Sequence, residues 1–212
     1  ALEGFARRGE ALDQRVLVGF PGGPDPREVE ERLAVLAMEA MAGPIRRGIR
    51  RVTVLLPCNT LAPVSWALQE RFATDPALAE AVAGVELSFP TVPEAVLAAA
   101  AAKRDQGIVL PLGTHGIDEV YRRAARRLQL AQEILGADAA QEVTILEAIG
   151  AAIEGGERRQ RAHTTMQELV SEARRDHAGG LIAVEACTDL DYGVGLDSSA
   201  AYARAVIEAT YR

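Results

Sequence analysis

The chain has 212 residues, of which 49% are hydrophobic and 25% charged, a composition typical of a globular protein with a sizeable core. Its net charge of −7 gives no basic surface for nucleic acid or anionic lipid, so neither partner is expected. The apolar segments are short or interrupted by Arg, Glu and Gly, and we expect no membrane span and a cytoplasmic location.

Short apolar runs alternate with longer amphipathic runs along the chain, which is typical of βα units on a parallel sheet and predicts an α/β fold. Strands are predicted at residues 15–20, 51–56, 85–89, 107–112, 142–146 and 181–185. Helices are predicted at residues 26–42, 63–72, 93–102, 121–135, 158–176 and 198–211. Asp25 is the expected N-cap of the first helix, and Asp197 or Ser198 that of the last, because short polar side chains accept free N–H groups there.

Both cysteines of the chain follow predicted strands and precede small polar residues. The first lies in Cys58-Asn59-Thr60 and the second in Cys187-Thr188-Asp189. Ligands of open α/β sheets bind beyond the carboxyl ends of the strands. The repeated pattern therefore predicts a site that uses two thiols.

A pair of thiols suits proton transfer at a carbon atom. One thiolate removes a proton from one face while a thiol returns a proton to the other face. The amino end of a helix favours an anion, so we expect a lowered pKa for Cys58 and for Cys187. Asn59, Thr60 and Thr188, with free N–H groups at the helix starts, would bind a substrate carboxylate and the enolate-like charge that builds on it.

Several neighbouring side chains allow more than one interpretation. Asp189 can orient Cys187, hold a substrate amine or cap the next turn. His115 can donate a proton, contact substrate or simply be exposed. Glu185, inside the last strand, is paired, faces an edge or lines the site. Arg27 can meet a distal substrate carboxylate or be solvated.

The sequence predicts no cofactor and no metal. It contains neither a Walker motif nor a dinucleotide fingerprint, and its only lysine, Lys103, lies in a polar stretch unsuited to pyridoxal chemistry. His115, His163 and His177 are too scattered for the ligand spacing of a structural zinc site. A disulfide between the cysteines is a further alternative, which the lack of an export signal disfavours.

The two triplets at Cys58 and Cys187, followed by Asp197-Ser198 at the start of the last helix, resemble the aspartate/glutamate racemase superfamily. The resemblance covers nearly the whole chain in the same order. It implies two similar lobes, each a mostly parallel sheet flanked by helices, with the active site in the cleft between them. Residues 1–92 with 198–212 would form the first lobe and residues 93–197 the second. It also implies one catalytic Cys per lobe, no cofactor and a homodimer.

This resemblance has two departures and one further correspondence. Asp189 stands where the family usually has Glu or His, and the strand at residues 15–20 matches the family's second strand, so the first is absent from the sequence. Thr114 resembles a family threonine that binds the substrate carboxylate. The second threonine of that motif is replaced by Ile117.

The resemblance predicts a cofactor-independent amino-acid racemase or epimerase, with Cys58 and Cys187 as the two bases and a small carboxylate-bearing substrate. Hydantoin racemisation and maleate cis-trans isomerisation are sister activities, the latter through covalent addition of one Cys to the double bond. Arylmalonate decarboxylation uses a single Cys and fits less well. A non-catalytic relative that binds small acids is the alternative from another class.

Overall fold

The structure, a computed structural model, describes residues 26–102, 107–177, 180–187 and 189–210. The described chain is mixed α/β with two small parallel sheets, which confirms the predicted class at that level. The predicted strand at residues 15–20, the predicted N-cap Asp25, Lys103 and the candidate site residue Thr188 lie outside the described residues.

The helices are α1 (Pro26–Arg46), α2 (Ala62–Thr74), α3 (Pro76–Ala81), α4 (Val92–Ala102), α5 (Ile117–Arg127), α6 (Ala139–Glu154), α7 (Gly156–Asp176) and α8 (Ser198–Thr210). The strands are β1 (Arg51–Thr53), β2 (Glu86–Ser88), β3 (Ile108–Leu112), β4 (Leu181–Glu185) and β5 (Leu196–Asp197), and a 3₁₀ turn spans Asn59–Leu61. None of these helices is long and apolar enough to cross a membrane.

The chain divides into two compact units. The first contains the described residues up to Leu55 together with Pro63–Phe89, and the second contains Leu56–Ala62 and the residues from Pro90 onward.

The first unit is built on a two-stranded sheet. Strands β1 and β2 pair in parallel, with Arg51 opposite Glu86. Helix α3 begins at Pro76 because the Asp75 carboxylate accepts the N–H groups of Ala77 and Leu78. The buried core comprises Ala34, Met41, Leu68, Phe72, Val82 and Phe89.

The second unit is built on the parallel sheet β3-β4-β5. Strands β3 and β4 pair from Ile108 with Leu181 to Leu112 with Glu185, and both are largely buried, as expected of central parallel strands. At Gly195 a Cβ atom would lie 2.5 Å from the Ala183 carbonyl oxygen, so only glycine allows the chain to approach β4 this closely before β5. The chain then continues through β5 directly into α8.

The strand predicted at residues 142–146 is wrong, because this segment lies inside α6. The Asp138 side chain accepts the N–H groups of Ala140 and Gln141, and the Gln141 side chain accepts the Asp138 N–H, which completes a capping box. Buried Ile145, Ala148 and Ala151 then follow at helical spacing. The β-branched residues in the segment suggested a strand, but this cap and this periodicity favour a helix.

The helix predicted at residues 121–135 begins earlier and ends earlier, at Ile117 and Arg127. Beyond it, Ile134 forms a parallel bridge with Val109, so this part of the segment lies along the open edge of β3. The remaining predicted helices and strands within the described residues are present with shifted ends, and β4 has the predicted bounds.

Candidate functional site

The first cysteine lies at the start of the 3₁₀ turn. Cys58 has extended backbone angles and caps the turn without a side-chain hydrogen bond to it. Its half-buried sulfur lies 3.0 Å from the Thr60 hydroxyl oxygen, and either group can donate. When Thr60 donates, the hydrogen bond stabilises a Cys58 thiolate.

The second cysteine follows β4 and has a different neighbour. Its half-buried thiol donates toward the exposed Asp189 carboxylate over 3.9 Å. Burial raises the pKa of Cys187, and the charges of Asp189 and Cys58 raise this pKa further, against hydrogen bonds from the Asp189 and Leu190 backbone. The lowered pKa predicted for Cys187 is therefore wrong, because burial and negative charge outweigh the backbone N–H groups.

Both cysteines are free thiols, so the structure gives no support to the disulfide alternative. They belong to the same compact unit, and Cys58 is close enough to raise the pKa of Cys187 through its charge.

Asn59 is buried and joined to two side chains that the sequence did not single out as site residues. Its Oδ1 atom accepts the Tyr121 hydroxyl at 2.9 Å, and its Nδ2 atom donates to the Ser198 hydroxyl at 3.3 Å. Ser198 in turn donates to the Glu185 carbonyl oxygen at 2.6 Å. Asp197, rather than Ser198, caps α8, since its carboxylate accepts the Ala200 N–H.

The loop after β3 passes close to the end of β4. A Cβ atom on Gly113 would lie 3.0 Å from the Ala186 carbonyl oxygen, so glycine permits this close approach. Half-buried Thr114 follows Gly113, and Ala186 immediately precedes Cys187. This contact brings the loop that carries Thr114 beside the loop that carries Cys187.

His115 points to the surface rather than into a buried site. Its side chain is 85% exposed, and its Nδ1 atom lies 3.1 Å from the Glu142 carboxylate. It therefore ties the loop after β3 to α6.

Of the three interpretations of Glu185, the structure shows the first: its carboxylate is paired, here with backbone N–H groups. It is 3% exposed, and its Oε1 atom accepts the N–H groups of Tyr192 and Val194 at 3.1 Å each. These bonds satisfy the buried Oε1 atom and fasten the chain after Cys187 to β4.

Within the described residues, no cluster of three or more His, Cys, Asp or Glu side chains is arranged to hold a metal ion. Comparison of the chain with models of known protein families, with curated proteins and with solved structures found no match. The racemase resemblance thus rests on the triplets and on their order in the chain.

Proposed function

We propose that this protein is a cofactor-independent amino-acid racemase or epimerase that transfers protons through Cys58 and Cys187. The observation that carries the proposal is a pair of free, half-buried thiols on two loops that buried hydrogen bonds join, from Asn59 through Ser198 to the Glu185 carbonyl oxygen. A two-base reaction needs such a pair on opposite faces of the substrate carbon.

In this proposal the two thiols have different roles at the start of a turnover. The Thr60 hydroxyl lies within hydrogen-bond distance of Cys58 and would donate to it when Cys58 acts as a thiolate base. Cys187 faces the Asp189 carboxylate and has a raised pKa, which suits a thiol acid. Cys58 takes the α-proton and becomes a thiol, while Cys187 gives its proton to the opposite face and becomes a thiolate. Solvent exchange or the reverse reaction restores the starting state.

The substrate in this proposal is a small α-amino acid. Thr114 and Thr188, with backbone N–H groups at Asn59 and Thr60, would bind its carboxylate and the charge that develops there, and the exposed Asp189 would meet its amine. The Asn59 side chain is bonded to Tyr121 and Ser198, and the proposal uses the Thr60 hydroxyl proton at Cys58. The proposal includes a substrate cleft at the two cysteine loops, which share one compact unit rather than lying one in each lobe, together with a homodimer and a cytoplasmic location.

The test is conversion of single enantiomers, followed by chiral chromatography. We expect the full chain to racemise an acidic amino acid such as aspartate or glutamate, and Cys58→Ser and Cys187→Ser each to lower the rate by at least about 100-fold. Asp191→Asn, an exposed carboxylate paired with Arg159 outside this site, is the control and retains activity. Full activity in either serine variant, or no racemisation of any amino acid, contradicts the proposal.

Maleate isomerisation is the second candidate, favoured by the hydroxyl donor beside Cys58. That thiolate would add to the double bond, the adduct would rotate about the resulting single bond, and the thiolate would leave again. Conversion of maleate to fumarate, abolished by Cys58→Ser, distinguishes this activity. Binding of small acids without turnover would identify the non-catalytic alternative.

A further inference from the structure

A chain of three buried side chains connects the Cys58 loop to the end of β4. Tyr121, Asn59 and Ser198 are each at most 1% exposed. Their hydrogen bonds run from the Tyr121 hydroxyl through the Asn59 amide and the Ser198 hydroxyl to the Glu185 carbonyl oxygen. The chain therefore joins α5, the 3₁₀ turn, α8 and β4.

The number of available protons fixes the direction of every bond in this chain. The Glu185 carbonyl oxygen can only accept a hydrogen bond, so Ser198 donates its single hydroxyl proton to it. Ser198 must then accept from Nδ2 of Asn59, which sets the orientation of the amide and turns Oδ1 toward the Tyr121 hydroxyl. Burial raises the pKa of Tyr121 far above its ordinary value, so its hydroxyl remains a donor.

Two members of this chain lie next to the two thiols in sequence. Asn59 directly follows Cys58, and Glu185 lies two residues before Cys187. We propose that Tyr121 and Ser198 are positioning residues, which act through Asn59 to hold the Cys58 loop in register with the end of β4 that carries Cys187. The expected effect on catalysis rests on the proposed racemase function, whereas the expected effect on the position of the thiols is independent of it.

If these bonds had only a structural role, removing one would affect the thiols no more than removing any other buried hydroxyl hydrogen bond in the same unit. The Tyr192 hydroxyl, which donates to the Ala148 carbonyl oxygen at 2.8 Å, provides the matched comparison. Tyr192→Phe removes a buried hydroxyl–carbonyl bond on α6 and leaves the bonds of Asn59 unchanged. Tyr121→Phe removes a bond of the same kind from the positioning chain.

The experiment compares Tyr121→Phe, Ser198→Ala and Tyr192→Phe in the full chain. Alkylation of Cys58 and Cys187 by iodoacetamide is followed from pH 6 to 10 by peptide mass spectrometry, at urea concentrations below unfolding. We expect Tyr121→Phe and Ser198→Ala to speed alkylation of Cys58 at least about threefold, because the loop loses its anchor. Tyr192→Phe leaves the rate unchanged.

Racemisation kinetics provide the second readout. For Tyr121→Phe and Ser198→Ala we expect kcat to fall about 10- to 100-fold with KM within about twofold, since a displaced base impairs the chemical step. Alkylation profiles of these variants that coincide with that of Tyr192→Phe overturn the positioning role. If the wild-type chain racemises nothing, the proposed function fails, and the alkylation profiles still decide the positioning role.

Discussion

Cys58 lies 3.0 Å from a hydroxyl oxygen, whereas Cys187 donates toward a carboxylate, so the two thiols have neighbours of opposite character. A hydroxyl stabilises a thiolate by donating to it, and a carboxylate stabilises a thiol by accepting from it. The proposed reaction uses this difference, with Cys58 as the first base and Cys187 as the first acid. The difference arises from the residue two positions after each cysteine, Thr60 in one loop and Asp189 in the other.

Replacement of Asp189 by Asn tests this electrostatic difference. Burial is the first cause of the raised pKa of Cys187, and the Asp189 charge adds to it. Asp189→Asn removes that charge, so the pKa of Cys187 falls and more thiolate is present at pH 8. We expect alkylation of Cys187 at pH 8 to become roughly two- to fivefold faster, with its pH profile shifted to lower pH.

Asp191→Asn is the control for this change, because Asp191 lies two residues further along the same loop and pairs with Arg159. In Asp191→Asn, we expect the pH profile of Cys187 alkylation to match that of the wild type. Equal profiles for Asp189→Asn and the wild type would show that the Asp189 charge does not act on the thiol.

Strand β4, which leads to Cys187, was predicted correctly from local sequence, whereas α6 was predicted wrongly as a strand. The apolar run at Leu181–Glu185 forms β4 with the predicted bounds, since a buried parallel strand needs little more than such a run. In α6, β-branched Val143 and Thr144 favour a strand locally, but the capping box of Asp138 and Gln141 favours a helix. A short apolar segment can therefore be assigned as helix or strand only together with the capping residues that flank it.

Removal of the α6 cap tests this account of the helix. Asp138→Ala leaves the N–H groups of Ala140 and Gln141 without their side-chain acceptor, and we expect the free energy of unfolding to fall by about 1 kcal/mol. Urea unfolding followed by circular dichroism measures the change. Asp138→Asn retains an acceptor and stays within about 0.5 kcal/mol of the wild type. An equal loss in both variants would contradict the capping role.

The molecule has a separate apolar core in each of its two units. Leu68 is fully buried in the core of the first unit, and the only tryptophan, Trp66, is also buried in that unit. Tryptophan fluorescence therefore reports the unfolding of the first unit. Leu110 and Leu112 belong to the core of the second unit, which contains both cysteine loops.

Truncation of Leu68 tests the importance of the first core. We expect Leu68→Ala to lower the free energy of unfolding of this unit by about 2–5 kcal/mol, because it removes apolar contacts and leaves a cavity. Urea unfolding followed by Trp66 fluorescence provides the measurement. Val35→Ala changes a residue that is 58% exposed on α1 and should cost less than about 0.5 kcal/mol. Similar losses for the two variants would refute the assignment of this core.

The candidate site could be predicted only where its signal was local. Each thiol is marked by an apolar run that ends in Cys, and Glu185 is unusual because an acidic residue stands inside such a run. Tyr121 was missed, because its contact with Asn59 joins residues 62 positions apart. Ser198 was recognised only as a possible cap, since its bonds to Asn59 and Glu185 depend on the folded sheet.

The most direct test of the two-thiol mechanism is the fate of the α-proton during racemisation in heavy water. With two bases, the product enantiomer acquires solvent deuterium from the opposite acid while the remaining substrate keeps its proton. At low conversion we expect deuterium in nearly all of the product and almost none in the recovered substrate, as measured by chiral separation and mass spectrometry. Deuterium that enters the recovered substrate as fast as the product would indicate a single base and contradict the mechanism.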